Sequence, residues 1–110
     1  LKSATTADIL GHDHIVIYTT EDSLKHKRGL KEGEDFQYFY WSIRRNIKRN
    51  IVPGSSRIFF AVKGKVVGSF EIDDYNPGEE ETIVWNKHTW QEVDEDISCK
   101  PFRGFRYKWW

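Results

Sequence analysis

Residues 57–73 run RIFFAVKGKVVGSFEID. Val, Ile and Phe dominate both halves, as suits a pleated and half-buried surface, and Lys63, Gly64 and Lys65 stand between them as a tight connection. The pattern predicts an antiparallel hairpin that pairs 57–63 with 65–72. Gly68 interrupts the second strand, where a residue without a side chain weakens the ladder. A bulge, or the close approach of another group to the backbone, is the expected reason for it. Bends of this kind let a sheet curve into a barrel.

Upstream, Phe36, Phe39, Tyr40, Ile43 and Ile47 fall within about 80° of one another at helical spacing. They predict an amphipathic helix over Phe36–Ile51, stopped by Pro53 and Gly54. Before it, His14–Thr19 (HIVIYT) is short, apolar and β-branched and predicts a buried strand. Thr20–Gly29 opens on Thr and two acids and closes on Lys, Arg and Gly, the order of a short capped helix. Downstream, the acidic loop DDYNPGEEE leads to short strands over Thr82–Trp85 and Trp90–Val93, and Phe105–Trp110 closes the set. Neither a repeat nor a low-complexity linker divides the chain. The expectation is one α+β domain over 1–110, a mixed β-barrel of five or six strands with two or three short helices.

Composition narrows the classes. At 110 residues there is room for one core, and 38% hydrophobic with 31% charged residues is the balance of a water-soluble globule. No apolar run approaches the roughly 18 residues of a membrane helix. Cys99 is the single cysteine, which excludes an internal disulfide and thiolate-cluster metal sites. The opening LKSATTADIL has neither a basic leader nor an apolar stretch, so a secretory signal is not expected, and the lack of Met suggests a trimmed start. A reducing cytoplasm is the expected location. Charge is segregated: 25–50 carries eight bases against three acids, and 71–96 carries ten acids against Lys87 alone. The end of the chain is basic again, with Lys100, Arg103, Arg106 and Lys108 set among Phe102, Phe105, Tyr107, Trp109 and Trp110. Cations beside flat apolar rings suit phosphate and base together.

The stretch YWSIRRNIKRNIVPGSSRIFFAVKGKVVGSFEI, residues 40–72, resembles the centre of the PUA-like superfamily, which includes PUA, ASCH, EVE and YTH domains. In outline it is most similar to EVE. Trp41, the dipeptides Arg45-Asn46 and Arg49-Asn50, the strand Ile58–Val62 and the glycine-bearing strand Val67–Ile72 stand in the EVE order, with the dipeptides one residue closer together. The ASCH motif of spaced Gly, Lys, Glu and Arg is not evident. The resemblance implies a pseudo-barrel whose cleft holds RNA or a modified base.

The residues point to the same chemistry. On the expected helix, Trp41 projects about 160° from the apolar face, between Lys48 and Arg45, with Arg44 and Arg49 on the flanks. Cations neutralise phosphate while a base stacks on the indole. Asn46 and Asn50 can read base edges, or cap the helix end. The expected nucleic-acid-binding set is therefore Trp41, Arg44, Arg45, Asn46, Lys48, Arg49 and Asn50, with RNA or another nucleic acid as partner; a merely solvated basic surface is the alternative. Trp85, Trp90, Trp109 and Trp110 suit either the core or an aromatic cage. Trp109 and Trp110, as neighbours on a strand, point to opposite faces.

Catalysis is not expected, and neither is a metal or cofactor. His12 and His14 lack a third ligand nearby, and the acidic loop lacks calcium-loop spacing. The resemblance to ASCH proteins offers an alternative, an amidohydrolase acting on a modified nucleoside with Lys25, Thr19 or Thr20, and Glu71 as its set. A non-catalytic protein-interaction module is the other.

Overall fold

The computed structural model describes residues 13–31, 33, 36–43, 50–76 and 81–110. The first strand, β1 (Ile15–Tyr18), lies between two others, parallel to β3 (Arg57–Val62) and antiparallel to β7 (Arg106–Tyr107). That placement explains its unbroken apolar text, since Ile15, Val16 and Ile17 are buried whichever face they point to. Helix α1 (Glu21–Lys27) follows at once. Thr20 is its N-cap and accepts from the Ser23 N–H at 3.1 Å, acids occupy the first turn and bases the last, and Leu24 anchors it in the core.

The hairpin forms as expected. Strand β3 pairs antiparallel with β4 (Lys65–Asn76), and the two-residue turn has positive φ at both Lys63 (52°) and Gly64 (86°), matching the right-handed twist of the strands. The register steps from Phe60↔Gly68 to Ala61↔Val66, leaving Val67 as the extra residue of a bulge. Gly68 also meets the second expectation: a Cβ placed there would lie under 3.0 Å from the Trp90 ring. Further along, β4 leaves β3 and pairs with β5 (Glu81–Asn86), after a second register shift between Ile72 and Asp74. A single 3-10 turn, Lys87–Thr89, leads to the two-residue β6 (Gln91–Glu92), which pairs with β4 at Gly68 and Ser69.

The described residues 36–43 do not form the expected helix, and 44–49 lie outside the described residues. Tyr38–Ile43 is a strand, β2, laddered antiparallel on β5 through six residue pairs from Tyr38↔Asn86 to Ile43↔Glu81. YFYWSI satisfies both periods, but Phe39 and Ile43 are buried while Tyr38, Tyr40 and Ser42 are exposed, the alternation of a strand. Phe36 and Tyr40, assigned by helical spacing to the apolar face, are 64% and 57% exposed. Aromatic residues fit a pleated sheet well, and a long-range ladder outweighs helix propensity.

The order β2-β5-β4-β3-β1-β7, with β6 on β4, makes one seven-stranded sheet rather than five or six strands. It is mixed, and among the described residues β1 and β3 are the one parallel pair. Among the described residues α1 is the one α-helix, where two or three were expected. The sheet is curled: Trp41 of β2 touches Phe60 of β3 edge-on at 5.7 Å between ring centroids, although two strands separate them in the order. It does not close into the expected barrel, because the end strands β2 and β7 are not paired. One core fills the concave side around Phe60, Phe70, Ile83 and Trp85. A smaller one, around Val16, Phe59 and Val66, is covered by Phe102 and Trp110 of the C-terminal segment. Among the described residues no helix is long and apolar enough to cross a membrane.

Candidate functional site

The curled sheet leaves a cleft of about 500 Å³ between β2 and residues 102–104, lined by Trp41, Ser42, Ile43, Tyr18, Phe102 and Arg103. Each side chain arrives for a local reason. Trp41 shares the inner face of β2 with Phe39 and Ile43, so its ring leans on Phe60 while remaining partly open to the cleft. Tyr18 ends β1; its hydroxyl accepts from the Gly64 N–H at 2.9 Å, and its ring meets Phe102 edge-on at 6.0 Å. The Arg106 guanidinium lies over Phe102, 4.9 Å from the ring centroid. The Lys27 ammonium sits 5.6 Å from the Trp41 centroid and donates to the Tyr40 carbonyl at 2.7 Å.

Among the described residues no carboxylate lines this cleft. A cavity of about 470 Å³ between α1 and the hairpin is lined by Lys25, Arg28, Lys63 and Lys65 with Glu21 but by no aromatic ring among the described residues, and another of about 390 Å³ beside Trp90 is lined by Glu92, Asp94, Glu95 and Asp96 with Arg28 and Lys65. In a site partly screened from water, the excess of acids beside Trp90 disfavours an anion.

The expected binding set is only partly placed. Trp41 reaches a cleft, but not as the outward residue of a basic helix face: it sits on a strand, with its indole turned inward. Asn50 does not line the cleft, and its carbonyl accepts from the Asp13 N–H at 2.9 Å. Arg44, Arg45, Asn46, Lys48 and Arg49 lie outside the described residues. Tyr18, Phe102 and Arg103 were not in the expected set; the mixture of rings and cations at the end of the chain is the signal that marks the last two.

The other candidates separate. Trp85 is core, with no opening to solvent, and is therefore not a cage residue. The Arg28 guanidinium lies over Trp90 at 4.2 Å. Trp109 and Trp110 touch edge-on at 5.0 Å rather than pointing apart, because the closing strand spans only Arg106–Tyr107. In the hydrolytic set, Thr20 is occupied as a cap and Lys25 lines the cavity beside Lys63 and Lys65. Glu71 lies opposite Arg57, six residues beyond Lys65 and hence about 20 Å along the strand. His14 Nδ1 accepts from the Arg57 N–H at 2.9 Å, and His12 lies outside the described residues. Among the described residues no group of three or more His, Cys, Asp or Glu is placed so that it could hold a metal ion.

Beside Ile43 the inner face turns polar. Glu81, the cross-strand partner of Ile43, is buried, and burial together with the hydrogen bond and charge of Glu81 pushes the Tyr75 hydroxyl up to about 12. The folded state thus favours the neutral phenol, and the stability this contributes is complete below about pH 10 and lost as pH rises toward 12. Thermal unfolding of the wild type is expected to fall more steeply between pH 10 and 12 than that of Tyr75→Phe. Identical profiles would contradict this account of the pair.

No family model, curated protein or solved structure matches this chain.

Proposed function

We propose that this is a nucleic-acid-binding domain of PUA-like type that takes an unpaired base, from RNA or another single strand, into the cleft beside Trp41. The observation that carries the reading is a cleft lined by Trp41, Tyr18 and Phe102 together with Arg103, and by no carboxylate among the described residues. A base offers flat apolar faces that stack on rings, its phosphate requires a cation, and a nearby carboxylate would repel it. A volume of about 500 Å³ lies within the range, roughly 300–1,000 Å³, of pockets that enclose small ligands. In sequence, Ile43 is followed by Arg44, Arg45, Lys48 and Arg49 within six residues. The curled mixed sheet and bulged hairpin accord with the PUA-like resemblance. Because Lys25 and Glu71 do not gather, the reading is binding without catalysis.

Fluorescence anisotropy of a labelled single-stranded trinucleotide, measured across a salt series, tests the proposal. Trp41→Leu, which keeps apolar volume against Phe60 but removes the stacking plane, is expected to weaken binding by about 1–3 kcal/mol with little change in salt dependence. Arg103→Gln is expected to lower the slope of log affinity against log salt by about 0.7. Wild-type binding in both variants, or a loss that only parallels a loss of thermal stability, would remove this cleft from the function.

A further inference from the structure

Phe102 lines two cavities: the Trp41 cleft, and a second groove of about 320 Å³ formed with Lys100, Arg106, Ser98 and Trp109. We infer that the two form one continuous track for a single strand of several nucleotides, running from Trp41 across Phe102 to Trp109. This rests on the function proposed above and extends it, because a free nucleotide or one flipped base needs the first cavity alone.

Two observations favour a single strand as the occupant. The first is the mixture of rings and cations in both cavities: Trp41, Tyr18 and Arg103 in the first, Phe102 shared between them under the Arg106 guanidinium, and Lys100 and Trp109 in the second. Successive bases of an unpaired strand need successive flat faces, with cations between them for the phosphates, and a guanidinium plane also serves as a stacking surface. A duplex keeps its bases stacked inside and would leave an open ring such as Trp109, 47% exposed, without a partner. The second is charge. Among the described residues no carboxylate lines either cavity, and residues 97–110 carry Lys100, Arg103, Arg106 and Lys108 with no acid. This favours a polyanion in both cavities, whereas the cavity beside Trp90, lined by four acids against Arg28 and Lys65, disfavours it.

Comparing a labelled single-stranded nonamer with the trinucleotide tests the track on the intact chain. The nonamer is expected to bind at least tenfold tighter, with a steeper salt slope. Lys100→Gln and Trp109→Ala are each expected to weaken nonamer binding several-fold and leave trinucleotide binding unchanged, and Lys100→Gln to lower the nonamer slope by about 0.7. Trp109 is largely exposed, so its removal should leave the melting temperature in place. Trinucleotide binding with no gain for the nonamer, or with both ligands weakened equally by these variants, would overturn the track and leave the first cleft standing. Failure of both ligands to bind would overturn both readings. Displacement of the nonamer by polyglutamate of equal charge would overturn nucleic acid as the occupant.

Discussion

Trp85→Ala is expected to destabilise the domain by about 3–5 kcal/mol, a large share of the roughly 5–15 kcal/mol that holds a protein of this size folded. The residue lies on β5 between Phe39 of β2 and Ile72 of β4, and its ring has no solvent exposure. It stacks on Phe70 at 5.1 Å and 22° and meets Phe60 edge-on at 5.5 Å. Its Nε1–H donates to the Lys27 carbonyl at 3.1 Å, so the same side chain ties the end of α1 to the sheet. Truncation opens a cavity at the centre of the curl and removes that hydrogen bond. Urea unfolding should show a lower midpoint with an unchanged slope. Trp85→Phe, which keeps a ring and loses only the donor and part of the volume, should cost distinctly less. A loss below about 1 kcal/mol in Trp85→Ala would mean that the curl is held elsewhere.

Gly68→Ala carries the second largest effect, and here the sign is informative. At an ordinary strand position the change from Gly to Ala stabilises by about 0.5–1 kcal/mol. At Gly68 the new methyl would overlap the Trp90 ring, which packs on the glycine backbone while Arg28 lies over it at 4.2 Å. Displacing the ring also disturbs β6, which pairs with β4 at this residue. Overpacking of this kind costs about 1–3 kcal/mol. Combining Gly68→Ala with Trp90→Leu should recover most of that loss, since the smaller side chain removes the overlap, and the coupling appears directly in a double-mutant cycle. A stabilising Gly68→Ala would show that the close approach is not needed.

Gly68 also shows what a single sequence can reveal. A glycine inside a strand announces a bulge or a close approach, and both occur here because each depends on the residue itself. The hairpin turn and the Thr20 cap are legible for the same reason: their determinants lie within a few residues of one another. Strand β2 is not legible in this way. YFYWSI fits a helical and a strand period equally, and what decides is the ladder with β5, some forty residues later in the chain. That one misassignment turns Trp41 from an outward helix position to the inner face of a sheet, where its ring meets Phe60 and the Lys27 ammonium. The cleft itself is assembled from the end of β1, from β2 and from the loop at 102–104. The ring and cation mixture near the C-terminus is visible in the text, but its meeting with Trp41 depends on how the sheet curls, which no local pattern encodes. The open seam follows from β2 and β7 remaining unpaired, a property of the whole topology.

The most direct test of the cleft beside Trp41 is a titration of isotope-labelled protein with an unlabelled single-stranded oligonucleotide, followed by NMR at the indole and backbone N–H groups. The account predicts that the Trp41 indole and the amides of Ser42, Arg103 and Gly104 shift together and saturate with one affinity, while the buried Trp85 indole stays in place. Shifts gathered instead around Lys25, Arg28 and Lys63, in the cavity between α1 and the hairpin, or no shifts at low salt, would contradict it.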